Sequence, residues 1–557
     1  MTQGMPLAAP GAPQSQKERD VAMAAAGHEV NRAEQPGPQS PAVVPSVPDE
    51  VKNALREMVR GYELESDVVR RHEVRKWREA EEFWRGNQHI AWSERNGRWE
   101  LPEDVGPGAS GQPAGSHAQY NMNFYRAWGM SIISALTASA PKVQYLPESA
   151  ESEQDVATAK AASKVVDYIS RNNPMDRLRL EQAHALWTQG IWAAYVRFVV
   201  DGGLYGWREE AVTEDMEIDL GDVALPDGTT ARQTVAAPVP VGSKRMPNGA
   251  EKIDIYGPLY FKVPPQARSQ RDCYYFIHVE EQHKATLRAA YPQKAEEIGD
   301  PGGGAEDTYE RIVRLSLADA QGTWNSLPMS SLITYKRAWL RPEAFWSHAD
   351  PKMREQLLTA FPDGCMVTFA GDVFLEAKPD RMDDHWALCL GQPGLGIYRD
   401  GLGYDSIPVQ RQINDSANIL AEHRELASAP PILYDARYVN GDALANQRMA
   451  PGSYMPVVIE SAGPQTPLAD LVFQPTLHVD PQLWADGERL SEVGQFVTGA
   501  LPTIFGAGAP NLKTATAYTQ AKEQALGRLQ IIWRNMREAH CKMMALAIEC
   551  FRRNRFE

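Results

Sequence analysis

Three short segments of this chain gather residues that carry out chemistry elsewhere, and spacing decides each of them. In "HVEEQH" two histidines flank two glutamates, which is the composition of a zinc-hydrolase helix. That chemistry needs histidines at i and i+4, so that both imidazoles meet one ion. His278 and His283 are five positions apart, which on a helix turns them about 140° from each other. The segment "GAGAPNLKT" holds Gly506, Gly508, Lys513 and Thr514 in the manner of a phosphate loop. Such a loop has a glycine directly before its lysine, letting backbone amides wrap the phosphate. Leu512 occupies that place here. "DRMDDHW" offers Asp380, Asp383, Asp384 and His385, a donor set suited to a divalent ion, although acidic surface loops without metal are far commoner. The glycines of "GQPGLGIYRDGLGYD" are out of register with the dinucleotide fingerprint, and turns account for them. No Ser-His-Asp or Cys-His arrangement can be assembled from 12 scattered histidines. The expectation is therefore a protein without catalytic residues, cofactor or bound metal. A metal-dependent hydrolase or nuclease centred on "DRMDDHW" is the alternative.

The elements that would hold such residues belong to a large chain. At 557 residues it exceeds one core and should divide into two to four packed regions. Hydrophobic and charged fractions of 43% and 23% are ordinary for a globular protein. The 14 Trp and 20 Tyr suit packed or intersubunit surfaces. No stretch approaches the roughly 18 apolar residues of a membrane helix, and residues 1–48 lack the pattern of a signal peptide. Cys273, Cys365, Cys389, Cys541 and Cys550 show no CxxC spacing and read as free thiols. A net charge of −15 argues against tight nucleic-acid binding, which requires Lys and Arg to displace counterions, yet it suits a wall past which DNA slides.

Along the chain, residues 1–48 are rich in Pro, Ala, Gly, Ser and Gln and read as a disordered arm. Order should begin near Asp49 with a long amphipathic helix stopped by Gly86. A second helix, capped by Asn121 or Asn123, carries Phe124, Trp128, Ile132 and Leu136 and ends before Pro141; Lys142 to Leu146 alternates like a strand. Helices over 153–171 and 175–188 lead into a strand at 191–200, and short strands occupy 204–262. A helix is expected over 277–290, with Val279, His283 and Leu287 on one face. Residues 310–400 are strand-like and aromatic, with a hairpin turn at Ala370-Gly371-Asp372. A polar helix over 403–430 follows, with Pro408 in its first turn, Pro430-Pro431 at its exit and a narrow stripe of Val409, Ile413, Ala417 and Leu420. Such a stripe suits packing beside neighbours in an assembly. Helices over 481–497 and 517–552 flank a Gly/Ala-rich loop.

This order resembles that of tailed-bacteriophage portal (head-to-tail connector) proteins, most like those of short-tailed phages. The likeness rests on "YNMNFYRAWGMSIISALTASAPKVQYLPES", "ATAKAASKVVDYISRNN" followed by "AHALWTQGIWAAYVRFVVDGG", "GLGYDSIPVQRQINDSANILAEHRELASAPPIL", "GERLSEVGQFVTGALPTIFGAG" and "TATAYTQAKEQALGRLQIIWRNM". It covers most of residues 50–552 through element order and weak local patterns, since portals lack a short diagnostic motif. The resemblance implies an α+β, mostly helical portal fold assembling as a ring of about twelve copies around a DNA channel. It implies a wing over 49–276 and 431–557, a first stem helix over 277–300, a clip over 301–402 and a second stem helix over 403–430. Thr498, Phe505, Asn511, Lys513 and Thr514 would be tunnel-loop residues, and the stripe of Val409, Ile413, Ala417 and Leu420 would pack the stem. Implied partners are further copies of the chain, double-stranded DNA held without sequence specificity, the large terminase subunit, tail adaptors, and major capsid and scaffolding proteins. The resemblance also implies that no membrane is involved and that the location is the virion, reached from the host cytoplasm during assembly. A head-completion adaptor is another reading within the virion class. The chain stops at "FRRNRFE", soon after the long helix, which leaves little for a crown.

Overall fold

The computed structural model describes residues 48–89, 91–93, 98–100, 121–139, 141–224, 230–298, 308–318, 332–428, 433–434, 472–473, 481–500, 527 and 529–555. In chain order these form helix α1 (Asp49–Arg85), the short hairpin β1 (Ala91–Ser93) and β2 (Arg98–Glu100), and helices α2 (Phe124–Thr137), α3 (Glu153–Asn172) and α4 (Met175–Thr188). Strands β3 (Ile191–Val200), β4 (Trp207–Ala224), β5 (Thr230–Pro247), β6 (Gly249–Tyr256), β7 (Phe261–Lys262) and β8 (Tyr275–His283) follow. Then come α5 (Lys284–Ala290), α6 (Thr308–Ala318), β9 (Leu332–Leu340), α7 (Pro351–Ala360), β10 (Cys365–Ala370), β11 (Val373–Pro379) and β12 (Trp386–Leu390). The chain continues through α8 (Ile407–Ser428), the pair β13 (Leu433–Tyr434) and β14 (Val472–Phe473), α9 (Pro481–Thr498) and α10 (Gln530–Arg555). The fold is α+β with helix as the larger part.

Local chemistry sets most boundaries. Gly86 ends α1 at φ 103°, a left-handed conformation that costs glycine nothing. The Asn123 side chain accepts a 2.9 Å hydrogen bond from Arg126 N and starts α2. Ser152 accepts from Asp155 N at 3.2 Å and starts α3. Gly371, at φ 59°, turns β10 into β11. Residues 142–146 pair with no strand among the described residues; their alternation lays Val143 and Tyr145 against the main core and leaves Lys142, Gln144 and Leu146 exposed.

Two antiparallel sheets pack face to face, with helices outside both. One runs β11-β10-β9-β8-β7 and the other β12-β3-β6. Side-chain parity builds the layers, since alternate residues of a strand face opposite sides. Trp192, Ala194 and Val196 of β3 enter a core shared with α2, α4, α8 and α10. Ile191, Ala193 and Tyr195 face the other sheet, meeting Phe261, Phe276, Trp339 and Met366. On the far side of that sheet, Tyr275, Ile277, Val279, Ala338, Leu340 and Val367 receive Val51, Leu55, Met58, Val59 and Tyr62 of α1. Complete burial of large side chains such as Trp192 and Phe276 contributes on the order of 1.5–3 kcal/mol each.

Two expectations are corrected. Residues 277–283 are strand, so a first stem helix over 277–300 is absent; the helix there is only Lys284–Ala290. Tyr275, Ile277 and Val279 enter one core while Phe276 enters another, so the strand is buried on both faces and reads as an apolar run without alternation. Of the expected clip over 301–402, the described residues 332–402 are not set apart. β9 lies between β8 and β10, and β12 pairs with β3 at the centre of the molecule.

Candidate functional site

The "DRMDDHW" segment lies at the edge of β12, where the structure distributes its acids among different partners. Asp380 accepts a 3.1 Å hydrogen bond from Trp339 Nε1, and its other oxygen is 2.9 Å from His385 Nε2. His385 Nδ1 lies 3.1 Å from the Val196 carbonyl oxygen, so both ring nitrogens are engaged. Asp383 accepts from Arg341 at 2.7 and 2.8 Å and from Gln270 Nε2 at 3.2 Å, and Asp384 is paired with Arg553 at 2.7 Å. Burial disfavours the imidazolium, but the Asp380 hydrogen bond and charge outweigh it and raise the His385 pKa above its ordinary value. Asp380 is lowered for the matching reason. These groups are spent on protein contacts, and among the described residues no cluster of His, Cys, Asp and Glu is arranged to hold a metal ion.

The "HVEEQH" histidines sit on a strand. An odd separation there sends them to opposite faces, about 17 Å apart. His278 is wholly buried, and burial, then Arg337, pushes its pKa well below the usual range. His283 is exposed and its Nδ1 accepts from Ala285 N at 3.2 Å, starting α5.

A buried polar assembly, unforeseen in the sequence, joins α1 and α6 to the β7 edge of the sheet. Arg70 Nη1 donates to Phe261 O at 2.6 Å, and Nη2 to Pro258 O at 2.9 Å and to the Glu310 carboxylate. Lys262 pairs with Asp67 at 2.8 Å. Glu281 accepts from Arg311 at 3.1 Å, Arg314 at 3.3 Å and Thr334 at 3.0 Å. Burial opposes ionisation of Glu310, yet Arg70, Lys262 and Arg314 hold its pKa below normal. For Asp67 burial wins and its pKa is raised. Each carboxylate is matched to cations, an arrangement that fixes elements in place and leaves no free base. A signal existed: in the inward stripe Tyr62, Ser66, Arg70, Val74 a charge interrupts apolar positions at helical spacing.

Helix α8 is placed as expected, but its side chains are not. Ile413, Ala417 and Leu420 are 4%, 9% and 8% exposed, and Val409 packs against the main core. The stripe is thus covered by the chain's own elements, with α9 lying alongside and α2 near. Part of the polar side is buried as well. Gln410 accepts from Tyr125 N at 2.8 Å and donates to Met122 O at 2.7 Å, while Asn414 donates to Gln88 Oε1 at 2.8 Å. These amides tie the end of α1 and the start of α2 to α8, so the helix is a core element where ring packing had been expected. Of the tunnel-loop residues, Thr498 closes α9: its hydroxyl donates to Gly494 O at 2.8 Å, and Gly499 at φ 74° ends the helix. Phe505, Asn511, Lys513 and Thr514 lie outside the described residues, as do the phosphate-loop glycines.

No family model and no curated protein matches the sequence.

Among the described residues no helix is long and apolar enough to cross a membrane. The described cysteines are free; Cys273, Cys365 and Cys389 are buried, and burial pushes the Cys273 thiol up to about 12.

Proposed function

We propose that the chain is the subunit of a homo-oligomeric ring that conducts double-stranded DNA at one vertex of a phage capsid. The observation that carries this reading is the set of large apolar side chains turned outward on two helices. Leu64, Val68 and Val69 of α1 are 53%, 77% and 47% exposed, and Val493 and Val497 of α9 are 41% and 43% exposed. Leu64 and Val68 lie one turn apart, on the side of α1 away from Tyr62 and Val59. Apolar patches of this kind mark surfaces that another molecule covers, and copies around a ring axis would cover them. The order of the sequence elements supports the same reading, from the long first helix to the Gly/Ala-rich stretch after α9. The net charge of −15 suits a channel in which DNA slides.

With the α8 stripe inside the chain's own core, the contacts between copies pass to the outer sides of α1 and α9. Such a ring needs no catalytic residue of its own. Its partners would be the large terminase subunit, tail adaptors, and capsid and scaffolding proteins, and it would reside in the virion. Negative-stain microscopy with native mass measurement tests this. A closed ring of about twelve copies with an open centre is the expected result. A stable monomer that cuts DNA with a divalent metal would overturn the reading.

A further inference from the structure

A cleft between α2, α4 and α10 has the chemistry of an anion receptor. Its volume is about 20 Å³, room for one or two atoms the size of a water oxygen, with a mouth open to solvent. Ser139, Arg179, Gln182, Trp533, Arg537 and His540 line it together with apolar residues, and no acidic side chain does. In a chain with a net charge of −15, the cleft is lined by two arginines and no carboxylate, Arg179 being paired with Asp176 outside the lining.

Periodicity places these groups. Trp533, Arg537 and His540 follow one stripe of α10, and Arg179 and Gln182 are neighbours three apart on α4. Arg179 is anchored from behind, its Nε donating to Met175 O at 3.3 Å and its Nη2 to the exposed Asp176. The Arg537 guanidinium lies 5.1 Å from the Trp533 ring and forms no ion pair among the described residues. Gln182 and His540 are buried at 2% and 5% exposure, whereas Ser139 and Arg537 stand at the mouth.

We propose that this cleft seats one oxygen of a phosphate-type oxyanion, whose remaining atoms stand at the open mouth beside Arg537 and Ser139. Guanidinium donors arrive from two helices, and an amide and a hydroxyl are also present, which suits a tetrahedral group with several acceptor oxygens. A planar carboxylate is satisfied by a single arginine fork. The phosphate can be free or part of a polynucleotide backbone; the recognition chemistry is shared. His540 supplies a built-in reporter. Burial, then the Arg179 charge, lowers its pKa to about 4, and an anion that offsets Arg179 raises it. This inference does not depend on the ring reading, since it rests on groups within one copy.

The test titrates inorganic phosphate into the full-length protein, followed by phosphorus NMR and by the His540 ring resonance. Saturable binding, an upward move of the His540 titration, and a loss of affinity of roughly 10- to 100-fold in both Arg537→Gln and Arg179→Gln are expected. Arg537 is exposed, so that variant keeps its fold, which circular dichroism verifies. A duplex oligonucleotide titrated in parallel separates the sources: weakening by the same substitutions assigns the phosphate to a backbone, and indifference assigns it to the free ion. Absent saturation, equal affinity for acetate, or binding unchanged in both variants overturns the proposal.

Discussion

His385 Nε2 stands 2.9 Å from Asp380 Oδ1, while the opposite ring nitrogen of His385 stands 3.1 Å from the Val196 carbonyl oxygen. The pair links β12 to β3 and shifts both pKa values. His385 is raised above its ordinary 6.5, so its contribution is complete below that value and is lost as pH rises through the folded pKa. Asp380 is lowered below 3.8, so its contribution is present above that value and is lost as pH falls through the folded pKa. The difference in melting temperature between the parent and His385→Gln should therefore be largest between about pH 4 and 6.5 and shrink on either side. A difference that grows above pH 8 would refute the assignment.

Arg70 is expected to be among the most sensitive positions. Replacing it with Met leaves Glu310 and two carbonyls without their donor in a buried site. Removal of one partner from such a site costs about 3–5 kcal/mol, readable as a lower urea midpoint at unchanged slope. The double variant with Glu310→Leu should recover part of that loss, because the buried carboxylate that lost its hydrogen-bond donor is then removed as well, while Lys262 keeps Asp67 and Arg314 keeps Glu281.

Two helical glycines admit a tryptophan ring against their backbone. A Cβ on Gly129 would fall 2.6 Å from both Trp187 and Trp84, and one on Gly494 would run into the ring of Trp128. Alanine normally favours helix by about 1 kcal/mol over glycine. At both positions the sign should reverse, with Gly129→Ala and Gly494→Ala each lowering stability by roughly 1–3 kcal/mol in denaturant unfolding. Gly61, with open space around it, is the control and should gain from the same change.

Assembly and folding separate on substitution. Ile413→Glu places a charge in the core and should lower stability by several kcal/mol with loss of helix content. Val68→Glu changes a residue 77% exposed, so the fold should survive with a stability change of about 0.5 kcal/mol or less. On the proposed function the second variant, and not the first, yields folded single copies. Analytical ultracentrifugation beside circular dichroism distinguishes the two.

Local signals were legible in the sequence. The bounds of α1 at Asp49 and Gly86, of α4 at Met175 and Thr188, of β3 at Ile191 and Val200, and the turn at Gly371 were readable because caps, glycine and periodicity act within a few residues. What misled was burial supplied from a distance. Val279, His283 and Leu287 satisfied a helical reading because β8 runs directly into α5 and cores on both faces of the sheet erase alternation in Tyr275–Val279. The Ile413 stripe looked available for neighbours because α9, which covers it, lies far along the chain. Arg179, Arg537 and Ser139 carry no common motif at all; only packing brings three segments to one cleft.

The layering also sets a timetable. Ala80 and Phe83 near the end of α1 share a core with Met543 and Ala547 of α10. At roughly 5–20 residues per second, a ribosome takes tens of seconds to make the chain between them. From their own synthesis to the end of that interval, Trp187, Trp192 and their neighbours lack the helix that shields them. The nascent protein is thus most vulnerable to self-association until α10 has been made, and α10 works as the clasp over this core. A chain stopped before α10 should call for chaperones far more than one that includes it.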